Sequence, residues 1–255
     1  MESVIKKKLQ EIEEWENVKI IMAVETGSRV WDFGSPDSVY HVRFIFLRNT
    51  KDYLRLDEVK DSIEWKFDDT LVMQGYDLKK FLHLLHDGDP TVYEWCSSTI
   101  VYHSTDTFEQ LKALVPKYFS KKQSLYYYWN TACANQKKYL KGSKVRIKNY
   151  FSALRALLAV KWILNHNCPP PIKFLDLVNS ELPKKLRGEV YKLLEMKKAT
   201  SELGYAIKVV QLNEYIEKTL EFQKSKIKDT SETHFSWSEL NYFFKKAVLL
   251  NAKKV

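Results

Sequence analysis

Hydrophobic residues recur with mixed periods up to about residue 104 and almost only with a helical period beyond it, which restricts this chain to an α+β architecture. In residues 2–17, Ile5, Leu9, Ile12 and Trp15 share one face of a helix, and residues 18–24 form an apolar run of strand length. Residues 40–47 alternate, with Val42, Phe44 and Phe46 on one side and His41 and Arg43 on the other. Runs at 53–56 and 62–67 predict further strands. Residues 76–86 predict a helix, with Asp77 near its start and Leu78, Phe81, Leu82 and Leu85 on its apolar face. From Thr105 onward the spacing predicts helices over 108–119, 125–140, 147–165, 183–194, 209–221 and 237–250. Pro169, Pro170 and Pro171 cannot extend the helix ending near Asn165, and the charged stretch 224–233 reads as a loop. The expected organisation is an α/β domain over 1–104 and a helical domain over 105–255 packed against it, with no flexible linker between them.

A chain of 255 residues can bury a sizeable core without covalent help. Its three cysteines, Cys96, Cys133 and Cys168, are widely spaced, which predicts neither a disulfide framework nor a zinc cluster and points to a reducing, cytoplasmic setting. No apolar run approaches the roughly 20 residues of a membrane span, and the N-terminal residues carry no apolar signal region. A net charge of +9 favours polyanionic partners, because lysine and arginine displace counterions from phosphates.

The chemistry concentrates in residues 25–44. A strand ends, Gly27 and Ser28 open a short turn, and a second strand begins about ten residues later. Gly27 permits close approach of a backbone to a ligand, and the Ser28 hydroxyl adds a donor, so the pair suits a triphosphate. Taken alone, a Gly-Ser pair is a common turn with a helix cap.

The pair is not alone. Gly27, Ser28, Arg29, Trp31, Phe33, Ser35, Asp37, Ser38, Tyr40, Val42 and Arg43 stand where predicted nucleotidyltransferases of the DNA polymerase β superfamily, in the bacterial and phage group associated with RNA repair, carry G-S-R-x-W-G-F followed by S-x-D-S-D-Y-D-V-R. The chain resembles that group further along: Gly75, Tyr76, Asp77, Leu78, Lys79 and Lys80 resemble G-W-D-L-R-K, and Glu94, Trp95, Ser98 and Tyr102 resemble E-W-x-x-S-x-I-V-Y. Lys148, Tyr150, Leu154, Arg155, Leu157, Leu158 and Trp162 match a helical element, and Leu193, Leu194, Lys197, Lys198, Glu202 and Leu203 match another. The resemblance implies a mixed nucleotidyltransferase sheet with helices, followed by a helical bundle. It also implies nucleotide contacts at Gly27, Ser28, Arg29, Asp37, Arg43, Lys148 and Arg155.

One feature of the group is missing. Its two aspartates, one residue apart on a strand, share a face and hold two magnesium ions. Here those positions are Val39 and His41, and the third carboxylate position matches Val72, with Asp68 or Asp69 as alternatives. Asp37 and His41 are the remaining candidates for a metal, with histidine favouring softer ions than magnesium. Three functions follow as expectations: a catalytically degenerate scaffold that binds nucleotide or RNA; an active enzyme using magnesium or manganese to move a nucleotide from a nucleoside triphosphate to RNA, a small molecule or a protein; and a surface that serves a protein partner. Two other clusters carry weaker signals. His83, His86 and Asp87 have the spacing of a metal face or of a solvated helix end. The aromatic run Tyr126, Tyr127, Tyr128 and Trp129, with Lys137, Lys138 and Lys141 after it, suits base stacking or core packing. Lys144, Arg146, Lys148 and Arg155 make a basic stripe, for phosphates or for solvent.

Overall fold

The structure, a computed structural model, describes residues 1–199 and 204–252. These residues form two compact units: Met1–Thr26, Val39–Tyr118 and the segment from His234 make the first, and Gly27–Ser38 with Phe119–Thr233 make the second. Compactness thus groups the chain by a different criterion from the change of period near residue 104.

The first unit holds a five-stranded mixed sheet. Helix α1 (Glu2–Glu16) leads into β1 (Lys19–Thr26), and β2 (Tyr40–Leu47) returns antiparallel to it. After the short α2 (Thr50–Tyr53) come β3 (Ser62–Lys66), β4 (Leu71–Asp77), α3 (Leu78–His86), α4 (Pro90–Cys96), β5 (Val101–Ser104) and α5 (Asp106–Leu114). The strand order is β3-β4-β2-β1-β5, with β2 and β4 the parallel pair. The period-two pattern of β2 does what it predicts: Val42, Phe44 and Phe46 are buried in one cluster with Ile5, Leu9 and Ile12 of α1. Each buried phenylalanine or isoleucine removed from water contributes about 1.5–3 kcal/mol.

The matched residues 75–80 have structural explanations. Phe44 and Gly75 are directly paired, and a Cβ on Gly75 would lie 2.1 Å from the Phe44 ring. Asp77 caps α3, accepting from the Lys79 N–H at 2.7 Å and from the Tyr53 hydroxyl at 2.8 Å.

The second unit is helical: α6 (Lys121–Tyr139), α7 (Ile147–His166), α8 (Phe174–Glu181), α9 (Lys184–Ala199) and α10 (Val210–Lys228), with a two-stranded ribbon of β6 (Lys144–Arg146) and β7 (Tyr205–Ile207). Helix α7 is its axis, because Tyr150, Phe151, Leu154, Leu157, Leu158 and Val160 are all buried on it. The last helix, α11 (Ser238–Ala252), belongs to the first unit. No helix among the described residues is long and apolar enough to cross a membrane.

Three expectations about elements are corrected. Residues 53–56 form the end of α2 and a turn, because Tyr53 is spent on Asp77 and on an edge contact with Phe244, while Leu54 and Leu56 are exposed. Helix α10 runs through the expected loop as far as Lys228, since Gln223 and Ile227 are buried four residues apart and continue its inner face. The ribbon strands interrupt the helical half, each only three residues long and too short to show a period.

Two predictions follow. Gly75→Ala destabilises the protein by about 1–3 kcal/mol in urea unfolding through overpacking against Phe44, and adding Phe44→Leu recovers part of that loss. Burial raises the Asp77 carboxyl above its ordinary value of 3.8, against the hydrogen bonds from Lys79 and Tyr53. The folded chain therefore keeps this proton to higher pH than the unfolded chain, so the stabilisation is complete below 3.8 and is lost as pH rises through the folded value. Asp77→Asn, which keeps the capping oxygen, removes that decline from a pH series of unfolding curves, while Asp77→Ala costs about 1 kcal/mol for the lost cap.

Candidate functional site

In the first unit, the strand register lines up Thr26, His41, Val72 and Lys66 across four adjacent strands. Alternation puts His41 and Arg43 on the face of β2 opposite Val42 and Phe44. Val72 is the direct parallel neighbour of His41, the place a third carboxylate would take. The two alternatives serve the β3–β4 turn instead: Asp68 accepts from the Thr70 and Leu71 N–H groups, and Asp69 pairs with Lys66 at 3.0 Å.

The row offers a hydroxyl, an imidazole, a valine and an ammonium. The Thr26 hydroxyl already donates to the His41 carbonyl at 3.0 Å. Magnesium and manganese require hard oxygen donors, and this set does not fit a two-metal centre. Asp37 is exposed on the Gly27–Ser38 loop of the second unit, and His41 is half-buried on β2 of the first. Among the described residues, no three His, Cys, Asp or Glu side chains gather to hold a metal ion. Arg43 falls in the next row, beside Gln74 of β4, which itself pairs with Glu64 of β3. Burial lowers the Arg43 pKa, opposed by Tyr76, Glu64 and Glu25.

Glu25 is the residue that sequence reasoning missed. With none of its surface exposed, its carboxylate accepts from the Tyr102 hydroxyl at 2.6 Å and from the His41 N–H at 2.7 Å. Its carbonyl accepts from Ser98 at 2.7 Å, and its N–H donates to the Ile100 carbonyl. Ser98 and Tyr102 are thus placed by one acidic residue at the end of an apolar strand, and that lone carboxylate was the available signal. A charge so deeply buried persists only with such donors.

In the second unit, Gly27 adopts φ 78°, a conformation that favours glycine, and opens a short 3-10 turn through Arg29. The Val30 and Trp31 N–H groups return to the Gly27 carbonyl, and the Phe33 N–H to that of Ser28. The Arg29 guanidinium donates through Nε and Nη2 to the Ser38 carbonyl, drawing the two ends of the loop together. Phe33 is buried against Phe151 and Phe174, and the Phe174 N–H donates to the Trp31 carbonyl. Arg155, only 5 % exposed on α7, sets its guanidinium 4.1 Å from the centre of the Trp31 ring. Lys197, 1 % exposed on α9, donates to the Ser35 hydroxyl at 3.1 Å, and Ser35 and Ser38 bond one another. Lys197 carries the end of the match at 193–198; its continuation, Glu202 and Leu203, lies outside the described residues. Lys148 is half-buried in the first turn of α7.

The remaining clusters divide. His86 stacks on Trp237 at 3.6 Å between ring centres, with Nε2 on the Phe235 carbonyl and Nδ1 near Asp87, so it docks the segment before α11. Of the aromatic run, Tyr128 is buried and Trp129 donates to the Leu220 carbonyl, while Tyr126 and Tyr127 stay exposed. Burial pushes the Cys96 thiol up to about 12, which removes it as a nucleophile.

Residues 1–246 match the family model of the RNA repair pathway DNA polymerase beta family. The uncharacterized protein YcgL of Bacillus subtilis (strain 168) is 40% identical over 215 residues, covering 84% of this chain and 83% of that protein. A crystal structure of a nucleotidyltransferase-like protein from Exiguobacterium sibiricum 255-15 covers 88% of this chain and 74% of its own at 14% identity, with a TM-score of 0.32.

Tyr102→Phe removes one donor from a buried carboxylate and lowers stability by about 2 kcal/mol in urea unfolding, whereas Ser98→Ala, which frees only a carbonyl, costs about 1 kcal/mol.

Proposed function

Because the chain belongs to the RNA repair pathway DNA polymerase beta family, we propose that it keeps a nucleotidyltransferase scaffold for binding and does not transfer nucleotides. The observation that carries this reading is the row Thr26, His41, Val72 and Lys66, which contains no carboxylate. Two-metal nucleotidyl transfer needs anionic oxygens to hold the ions that neutralise the triphosphate and activate the attacking hydroxyl. The row presents instead an imidazole and an ammonium that is itself paired with Asp69 at 3.0 Å, and neither supplies an anionic oxygen for a metal ion. Support for a nucleotide comes from the Gly27 and Ser28 turn, where a positive φ and the absence of a side chain allow close backbone approach. The ligand of this reading is a nucleoside triphosphate or an RNA end, held without dependence on a divalent metal.

Titration calorimetry of ATP, CTP, GTP and UTP, with and without magnesium or manganese, tests it beside the double variant Val39→Asp with His41→Asp. The expected result is nucleotide binding by the unaltered chain that metal changes less than about twofold, and metal-dependent tightening of at least about tenfold, or 1.4 kcal/mol, in the double variant. Pyrophosphate release by the unaltered chain, or tightening of that size with metal, overturns the reading in favour of an active enzyme with unusual ligands. If neither protein binds any nucleotide, the nucleotide part falls and a macromolecular partner takes its place.

A further inference from the structure

The ribbon of the second unit is a surface that the nucleotide reading does not use. Strands β6 and β7 pair antiparallel, with Lys144 opposite Ile207, Val145 opposite Ala206 and Arg146 opposite Tyr205. Val145 and Ala206 face the core of the unit, so alternation turns the other two cross-strand pairs outward. Tyr205 is 53% exposed and Ile207 80%, and Lys144 is also exposed. Arg146 donates from Nε to the Tyr205 hydroxyl at 2.9 Å, and its guanidinium lies 5.6 Å from the centre of the tyrosine ring, joining a cation and an aromatic face into one plate.

The segments that carry the ribbon are basic, although Glu217 accepts from Gln136 at 3.2 Å near the end of α6. Residues 137–148 and 204–210 contain seven cations, Lys137, Lys138, Lys141, Lys144, Arg146, Lys148 and Lys208, and no Asp or Glu, against a net charge of +9 for the whole chain. Lys137 and Lys138 sit in the last turn of α6, where the helix dipole alone accounts for positive charge. The same account does not extend to Lys141, Lys144 or Lys208, which lie on a loop, on a strand and beyond a strand end. Tyr139, exposed and 5.1 Å from the Lys138 ammonium, repeats the pairing of a ring with a cation at the end of α6.

We infer that this ribbon and the end of α6 form a docking surface for a single-stranded polynucleotide, with lysines on phosphates and Tyr205 and Tyr139 stacking on bases. Cations alone would suit any polyanion. Exposed rings set among the cations distinguish the partner, because unpaired bases offer stacking faces that a duplex or an acidic peptide does not. The surface stands whether or not the first unit binds nucleotide.

Fluorescence anisotropy of the full-length protein with a labelled 20-nucleotide single-stranded RNA, the matching DNA and the matching duplex tests the inference. Expected is binding to the single strands that weakens with salt, with Lys144→Glu plus Arg146→Glu and Tyr205→Ala each weakening it about tenfold or more. The control is Lys226→Glu plus Lys228→Glu, the same charge change on exposed residues of α10, with an expected effect below about twofold. Tyr205→Phe keeps the ring, loses the bond to Arg146 and retains binding within about threefold. Far-UV circular dichroism and thermal melting establish that each variant is folded. Equal weakening by the control pair reduces the effect to net charge and overturns the inference, as does binding to the duplex that equals or exceeds binding to the single strands. Single-strand binding unchanged by Tyr205→Ala, or ribbon-dependent capture by phosphatidylserine vesicles without any by oligonucleotides, overturns it too. RNA and DNA compared at equal length show which sugar the surface accepts.

Discussion

The burial of Phe33 among Phe151 and Phe174 sets the course of the segment that carries most of the candidate chemistry. A connection of thirteen residues, 27–39, between two strands would ordinarily be the most variable part of such a fold. Here Phe33 anchors it in the hydrophobic core of the second unit, and several of its polar groups hold it there. Trp31 lies against Arg155, Ser35 receives Lys197, and Arg29 grips the Ser38 carbonyl. Gly27 supplies the left-handed backbone at which the segment turns. Order in this loop therefore rests on apolar burial reinforced by charge-assisted contacts.

That arrangement changes how the matched positions are to be understood. In the linear sequence Arg29 follows the glycine-serine turn and Arg155 belongs to the basic stripe of the matched helical element, which is the reason to expect both on phosphates. In the folded chain the half-buried Arg29 guanidinium donates to a backbone carbonyl, and the buried Arg155 guanidinium lies beside an indole ring. The same holds at Gly75 and Asp77, where the match is explained by the Phe44 ring and by a helix cap. A resemblance spread over many positions can thus measure shared architecture more than shared chemistry.

Much of the architecture was legible because it depends on periodic burial. The alternation of β2, the apolar face of α3 and the long inner face of α7 each repeat often enough to declare a period. The ribbon was illegible because three residues cannot show one, and α10 ran on through a stretch whose lysines hide Gln223 and Ile227. At the candidate site, the positions on β2 could be read directly, since alternation alone puts His41 and Arg43 on one face, while Val39 lies just before the strand. Glu25 and Lys197 could not. Each is a charged side chain in full burial; Glu25 shows locally only as a lone acid at the end of an apolar strand, Lys197 does not stand out among the lysines of the chain, and their partners, Tyr102 and Ser35, come from far along the sequence.

Glu25 also bears on what the sheet end can do. A buried carboxylate within reach of the His41 backbone is not a substitute for the missing acids, because the Tyr102 hydroxyl and the His41 N–H already engage it. It lies on the strand position paired with Val42, turns to the Tyr102 hydroxyl, and uses an oxygen on the His41 N–H. Freeing it for a metal would leave the Tyr102 phenol and the His41 amide of an interior strand unpaired, at a cost of about 1–3 kcal/mol for each group. The acid therefore secures the strand on which the candidate site is built, and its oxygens serve the fold.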